Sequence, residues 1–294
     1  ARDTSLGRQV VIKENLPAMF AYRETTSGTV RSHSEVGEDA DNFAWSMENF
    51  LREADTLASL DHPGIVSVLK KFEANGTAYF VMPFEKGLAF DELLKNRQHR
   101  GESITEDEIK GFLEHVLDAL GYLHARGIYH RDIKPGNILV TKEGVPILID
   151  FGSARQRLSE RSMTVVESAG YTPFEQLQSR GNVGPWSDLY SLGTVLWQLL
   201  TARPTFISAD PVTFLMQARE RDVENVCRWV PDCPDEVAHQ VQLLTRRRPE
   251  LRPQTIAAAL ELWSALSGNS CSATLPEGLG GPKFNFEHEK WIRT

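Results

Sequence analysis

The chain reads as an α+β protein of two lobes, a small sheet-rich one first and a larger helical one behind it. Three observations predict this. Before residue 82 the apolar residues fall in short β-branched and aromatic runs separated by turn signals. From residue 83 onward they recur at helical spacing over stretches of several turns. At 294 residues the chain is also long enough to divide into two cores. The expected boundaries are 1–82 for the sheet-rich lobe, 83–268 for the helical lobe, and 269–294 for a tail or linker rich in Gly and Pro.

The elements follow in order. Gln9-Val10-Val11-Ile12-Lys13 is a β-branched run after the turn Ser5-Leu6-Gly7, and reads as a strand. Between 17 and 42 the pattern dissolves among Thr, Ser, Gly, Glu and Asp, as in an inserted loop. Phe50, Leu51, Ala54, Leu57 and Leu60 then recur at helical spacing, so a helix is expected from Ser46 to Leu60, stopped by Asp61-His62-Pro63-Gly64. Two strands, near Val66–Glu73 and Thr77–Met82, flank Asn75-Gly76, a strong hairpin signal.

Thr105-Glu106-Asp107-Glu108 has capping-box form. Behind it Ile109, Phe112, Leu113, Val116, Leu117, Leu120 and Leu123 make a wide apolar helix face, ended by Gly127. Val145–Ile149 reads as a buried strand, and residues 153–168 read as a mobile loop rich in Ser, Arg, Thr and Glu. Helical patterns resume at Trp186–Thr201, Val212–Arg221, Asp235–Arg246 and Pro253–Leu266.

Composition narrows the function classes. A net charge of −8 argues against a general nucleic-acid or anionic-membrane binder. Cys227, Cys233 and Cys271 are odd in number and lack CxxC spacing, which favours free thiols in a reducing compartment over a disulfide frame or a zinc site. No apolar run is long enough to span a bilayer and no signal-peptide core opens the chain, so a cytoplasmic location is expected.

The chemistry gathers in Tyr129-His130-Arg131-Asp132-Ile133-Lys134-Pro135-Gly136-Asn137-Ile138-Leu139-Val140. A polar loop that runs into a short apolar strand can hold a carboxylate and a cation within reach of one phosphate. Thirteen positions after Asn137, Asp150-Phe151-Gly152 follows an apolar strand, where a carboxylate can bind a hard cation through oxygen. Lys13 closes the first strand, and Glu53 sits mid-helix as a candidate partner.

In this order and spacing the residues resemble a Hanks-type serine/threonine protein kinase over about Gly7 to Leu266, in its bacterial branch. The Gly170-Tyr171-Thr172-Pro173-Phe174-Glu175-Gln176 segment and the loop inserted after the strand Lys are similar to bacterial forms. The resemblance implies a two-lobed kinase fold, ATP and Mg²⁺ as cofactors, and a protein Ser/Thr hydroxyl as substrate. Asp132 would be the catalytic base, Lys134 would neutralise charge on the transferred phosphoryl group, and Asn137 and Asp150 would hold the metal. Lys13, paired with Glu53, would contact the α- and β-phosphates.

For adenine, Met82 would be the gatekeeper, Pro83 would offer its C=O and Glu85 its N–H, and Val11 and Leu139 would sandwich the base. Glu175 would pair with Arg252, and Asp188 would hold the catalytic-loop backbone. Ser168 would retain a hydroxyl for the catalytic Asp, and Ser159, Ser162 or Thr164, with Thr164 first, would take a regulatory phosphate received by Arg131.

One family feature is missing. The twelve residues ahead of Lys13 hold no G-x-G-x-x-G, so the chain reads as a truncated or naturally shortened first lobe. The tail glycines Gly278, Gly280 and Gly281 read as linker rather than substitute. Two functions therefore stand side by side: an active kinase, favoured by the intact Lys13, Asp132, Asn137 and Asp150, and a pseudokinase-like regulatory or nucleotide-binding module, favoured by the missing loop.

Overall fold

The computed structural model describes residues 1–100, 105–151, 170–178, 181–206 and 211–266. It separates into two compact units, Ala1–Lys86 and Gly87–Thr294.

The first unit runs β1 (Val10–Glu14), β2 (Ala21–Arg23), β3 (Val30–Ser32), α1 (Glu38–Ala58), β4 (Lys70–Ala74) and β5 (Thr77–Pro83). One antiparallel sheet has the order β1-β5-β4, and β2 pairs with β3 in a separate ribbon. As the middle strand, β5 buries Thr77, Ala78, Tyr79 and Phe80 in succession. Phe80 meets Phe50 of α1 with ring centroids 4.7 Å apart, so the helix covers one face of the sheet. Burial of each such side chain contributes about 1.5–3 kcal/mol.

The expected β4–β5 hairpin is present. Asn75 and Gly76 adopt φ of 48° and 70°, the left-handed pair that a two-residue loop needs. Gly76 is required for a second reason: a Cβ there would lie 2.5 Å from the carbonyl oxygen of Val30. The Val30 N–H donates to the Asn75 carbonyl at 2.8 Å, which docks the β2–β3 ribbon on this turn.

Two expectations for this region need correcting. The stretch 17–42 is no plain loop but holds β2, β3 and the first turn of a helix. That helix begins at Glu38, two turns before Ser46. Its opening residues Glu38, Asp39 and Asp41 lack apolar periodicity, yet acidic side chains favour the positive end of a helix dipole. The ribbon strands are three residues each, too short to show alternation.

The second unit begins with β6 (Gly87–Ala89), α2 (Phe90–Arg100), α3 (Glu106–His124), β7 (Ile138–Thr141) and β8 (Pro146–Leu148). It continues with α4 (Pro185–Thr201), α5 (Pro211–Glu220), α6 (Asp235–Leu244) and α7 (Ile256–Leu266). Thr105 and Glu108 form the expected capping box. Glu108 does more: its carboxylate takes both Arg97 Nη1 and Nη2, at 2.9 and 2.6 Å, and so ties α2 to α3. Burial pushes the Glu108 carboxyl up, but the Arg97 hydrogen bonds and the Thr105 amide outweigh it and hold it below its ordinary value.

All seven residues of the expected α3 face are buried, and Phe112 stacks on Phe90 at 4.5 Å. The short sheet β6-β7-β8 carries the polar loop ahead of β7. Gly87 lets β6 approach closely, since a Cβ there would fall 2.3 Å from the Val140 carbonyl oxygen. Among the described residues no helix is long and apolar enough to cross a membrane.

Candidate active site

The loop 129–137 is folded by a buried carboxylate that belongs to another element. Asp188, in the first turn of α4, has no solvent exposure. Its Oδ2 accepts the His130 N–H at 2.9 Å and its Oδ1 the Arg131 N–H at 2.8 Å. His124 Nε2, at the end of α3, also meets Oδ2 at 2.8 Å. Burial pushes the Asp188 carboxyl up, yet His124, His130 and the Arg131 amide together hold it below its ordinary value. An uncompensated carboxylate there would be very costly; one that orders two successive amides and a histidine is a brace.

The backbone here is unusual at two positions. Arg131 has φ of 65° and Asp150 φ of 56°, both in the left-handed region. For residues other than Gly such conformations persist only where the surroundings over-determine them. Between the two, Asp132 is buried. Its carboxylate accepts a short hydrogen bond from Asn137 Nδ2, and its Oδ2 lies 3.5 Å from Lys134 Nζ. The same Asn137 nitrogen donates to the Asp132 carbonyl at 2.9 Å and to the Asp150 carbonyl at 3.4 Å. Asn137 is thus held by its amide nitrogen, with the amide oxygen as its remaining polar atom.

His130 supports this cluster from beneath. It is fully buried, its ring 4.5 Å from that of Phe151, and Nε2 contacts the Ile149 carbonyl at 3.2 Å. Burial pushes its pKa down against the pull of Asp188 and Asp132, and its Nδ1 accepts from the Asp132 N–H at 3.3 Å. Gln176 Nε2 donates to the Arg131 carbonyl. Glu175 meets Arg252, as expected, through both carboxylate oxygens at 2.6 and 3.2 Å.

In the first unit, Lys13 Nζ lies 3.2 Å from Glu53 Oε1. The Lys13 side chain is 30% exposed and that of Glu53 3%. The ammonium also lies 5.3 Å from the Phe80 ring centroid, where the negative ring face favours a cation. Val11 sits opposite Met82 and Val10 opposite Pro83 in the β1–β5 register. Met82 and Pro83 are half-buried, whereas Val11 and Glu85 are exposed. In the second unit Leu139 is half-buried on β7, opposite Ala89 and Ile147.

The structure therefore brings Asp132, Lys134, Asn137 and the Asp150 carbonyl into one cluster, and Lys13 and Glu53 into another. Sequence reasoning missed His124 and Gln176, and gave His130 no task. His124 offered one signal, a histidine in the last turn of a helix, where a cation is favoured. Gly152, Ser159, Ser162, Thr164, Ser168, Cys271 and the tail glycines lie outside the described residues.

Comparison with known proteins agrees with this geometry. The protein kinase domain family matches residues 30–263. A probable serine/threonine-protein kinase of Streptomyces coelicolor is 31% identical over 95% of this chain and 39% of its own. PrkC of Bacillus subtilis is 32% identical, over 71% of this chain and 32% of its own. PknB of Mycolicibacterium smegmatis is 34% identical, over 71% and 34%. The chain thus spans only about a third to two-fifths of these relatives' length. The solved structure of PpkA-294 in its apo form superposes with a TM-score of 0.77 at 31% identity, covering 89% of each chain. The chain belongs to the protein kinase family, in the Hanks-type serine/threonine branch that it shares with these bacterial relatives.

Proposed function

We propose that the chain is an ATP- and Mg²⁺-dependent kinase that transfers the γ-phosphoryl group to Ser or Thr hydroxyls of a protein substrate. The observation that carries this reading is the buried Asp132 carboxylate, oriented by Asn137 and 3.5 Å from Lys134. A carboxylate fixed by one neighbour and flanked by a cation is placed to accept a hydroxyl proton while the cation faces the charge that develops on phosphate. Lys134 two residues after the base is the serine/threonine form of the motif the chain resembles. The names of the bacterial relatives support the same substrate class.

Asn137 and Asp150 supply the donor set that suits Mg²⁺, since both carry oxygen donors and Asn137 is tethered through nitrogen. When bound, the ion would neutralise phosphate charge. Lys13, held by Glu53, would contact the α- and β-phosphates. Met82, Pro83, Glu85, Val11 and Leu139 are the adenine contacts that the resemblance assigns. The three cysteines, odd in number and without CxxC spacing, support a reducing, cytoplasmic setting.

The test is phosphate transfer from labelled ATP to a Ser/Thr-rich protein, with Asp132→Asn beside the wild type. Loss of a general base lowers the rate by roughly 10²–10⁴-fold. The variant is expected to fall in that range while ATP and Mg²⁺ still raise the melting temperature of both proteins. Equal and negligible transfer by both, with the nucleotide shift intact, would replace this reading with that of a nucleotide-binding regulatory module.

A further inference from the structure

We infer that Asn15 and Ser46 are positioning residues for the Lys13–Glu53 pair. A buried hydrogen bond between them pins α1 to β1 two helical turns from Glu53, and fixes the helix at the rotation where that carboxylate meets Lys13. The inference deepens the reading of Lys13 and Glu53 given above. It rests on that reading for what the pair does, not for how the pair is held.

The geometry begins with the strand. Side chains two apart on a strand share a face. Asn15 prolongs β1 by one residue, because its N–H donates to the Ala78 carbonyl at 2.9 Å and its own carbonyl accepts from Thr77 Oγ1 at 2.5 Å. Lys13 and Asn15 therefore leave the same face of one strand. On the helix, Ser46 and Glu53 are seven residues apart, which is about 10.5 Å of rise and within about 20° of two full turns. Both belong to the buried face with Asn49, Phe50, Ala54 and Leu57. One face of β1 is thus joined to one face of α1 at two levels.

The chemistry of the second tie is directional. Ser46 Oγ has a single proton and gives it to the Phe43 carbonyl at 2.8 Å. It must accept from Asn15, whose Nδ2 lies 3.1 Å away. Asn15 is 8% exposed and Ser46 5%, so water does not compete for the bond. The backbone of Asn15 is clamped on both sides by β5, which fixes where its side chain points. Lys13, by contrast, reaches Glu53 with a flexible four-carbon stem that is 30% exposed, and such a stem cannot by itself hold the helix in place. The rigid tie sets the helix and the ion pair reports it.

Acylation of Lys13 tests this without nucleotide. The native chain is treated with an amine-reactive acetyl ester over a range of pH, and acetylation of Lys13 is followed by mass spectrometry. Surface Lys95, paired with Asp91, serves as the internal reference. A lysine whose ammonium donates to a buried carboxylate reacts slowly, because only the neutral amine attacks the ester. Asn15→Ala and Ser46→Ala, which only remove atoms, are expected to raise the Lys13 rate severalfold, towards that of Glu53→Gln. Ser46→Thr keeps the hydroxyl and should keep the slow rate.

In a Glu53→Gln background, Asn15→Ala should add nothing, which a general loosening of the fold would not reproduce. Unchanged rates in both alanine variants would overturn the inference. So would an acceleration by Asn15→Ala that is equally large with and without Glu53. Failure of phosphate transfer in the wild type would count against the kinase reading and leave this result standing.

Discussion

Two glutamate–cation pairs anchor the two units, and they are built in opposite ways. Arg252 and Glu175 are 1% and 8% exposed and meet through two hydrogen bonds. The guanidinium also donates to the carbonyls of Arg246, Arg247 and Trp186, lies over the Tyr190 ring at 4.5 Å, and shares Glu175 with Ser187. Lys13 meets Glu53 as a point charge, with 30% of its side chain in solvent. A planar fork whose five donors are divided between two carboxylate oxygens and three fixed carbonyls joins several segments into one structure. A compact ammonium on a flexible stem can leave and return without unfolding anything. The first pair is architecture; the second is a contact that the fold can make or release.

The sharpest way to break this comparison is Arg252→Met. It strands a buried carboxylate and leaves three carbonyls without their donor. The expected loss is about 3–5 kcal/mol, read as a lower urea midpoint by tryptophan fluorescence. Arg252→Lys should recover little, because one ammonium cannot serve both Glu175 oxygens and the carbonyls behind. Arg252→Met combined with Glu175→Gln should also stay destabilised, since the Arg246, Arg247 and Trp186 carbonyls remain unsatisfied.

Asp188→Asn ranks next. The amide has one acceptor where the carboxylate has two, so its nitrogen must face one of the two loop N–H groups or His124. We expect a loss of about 1–3 kcal/mol at neutral pH. The sign with pH follows from the lowered folded-state pKa of Asp188. Its contribution is complete above the ordinary value of 3.8 and is lost as pH falls through the folded value. The gap in melting temperature between wild type and Asp188→Asn should therefore narrow below pH 3.8. A gap that widens there would show that Asp188 does not hold the loop as a carboxylate.

The same contrast explains what could be read in advance. Asn75-Gly76, the Thr105–Glu108 capping box and the α3 face were legible because turns, caps and helix faces are written in neighbouring residues. The polar loop and the strand before Asp150 were legible as spacing. The start of α1 was not, since Glu38, Asp39 and Asp41 stabilise a helix end through charge and carry no periodicity. Nor was α2, where buried Arg97 looks like a surface residue until Glu108, eleven positions away, takes both its nitrogens. His124 with Asp188 and Gln176 with Arg131 span 64 and 45 positions. No local pattern encodes such pairings.

Lys13→Met gives the smallest expected loss of stability and probes the other half of the comparison. It removes the ammonium but keeps most of the apolar stem against Phe50 and Phe80. Glu53 remains buried, yet water can reach it where the lysine end stood open. We expect a cost near 1 kcal/mol, the upper end for partly exposed pairs, and well below that of Arg252→Met. Adding Glu53→Gln should restore most of it, because removing both charges leaves no buried carboxylate without its cation. Nucleotide-dependent stabilisation should nonetheless fall sharply, read as a reduced ATP-induced shift in melting temperature. If Lys13→Met instead destabilises as much as Arg252→Met, and the double variant fails to recover, the two pairs are the same kind of brace and the distinction collapses.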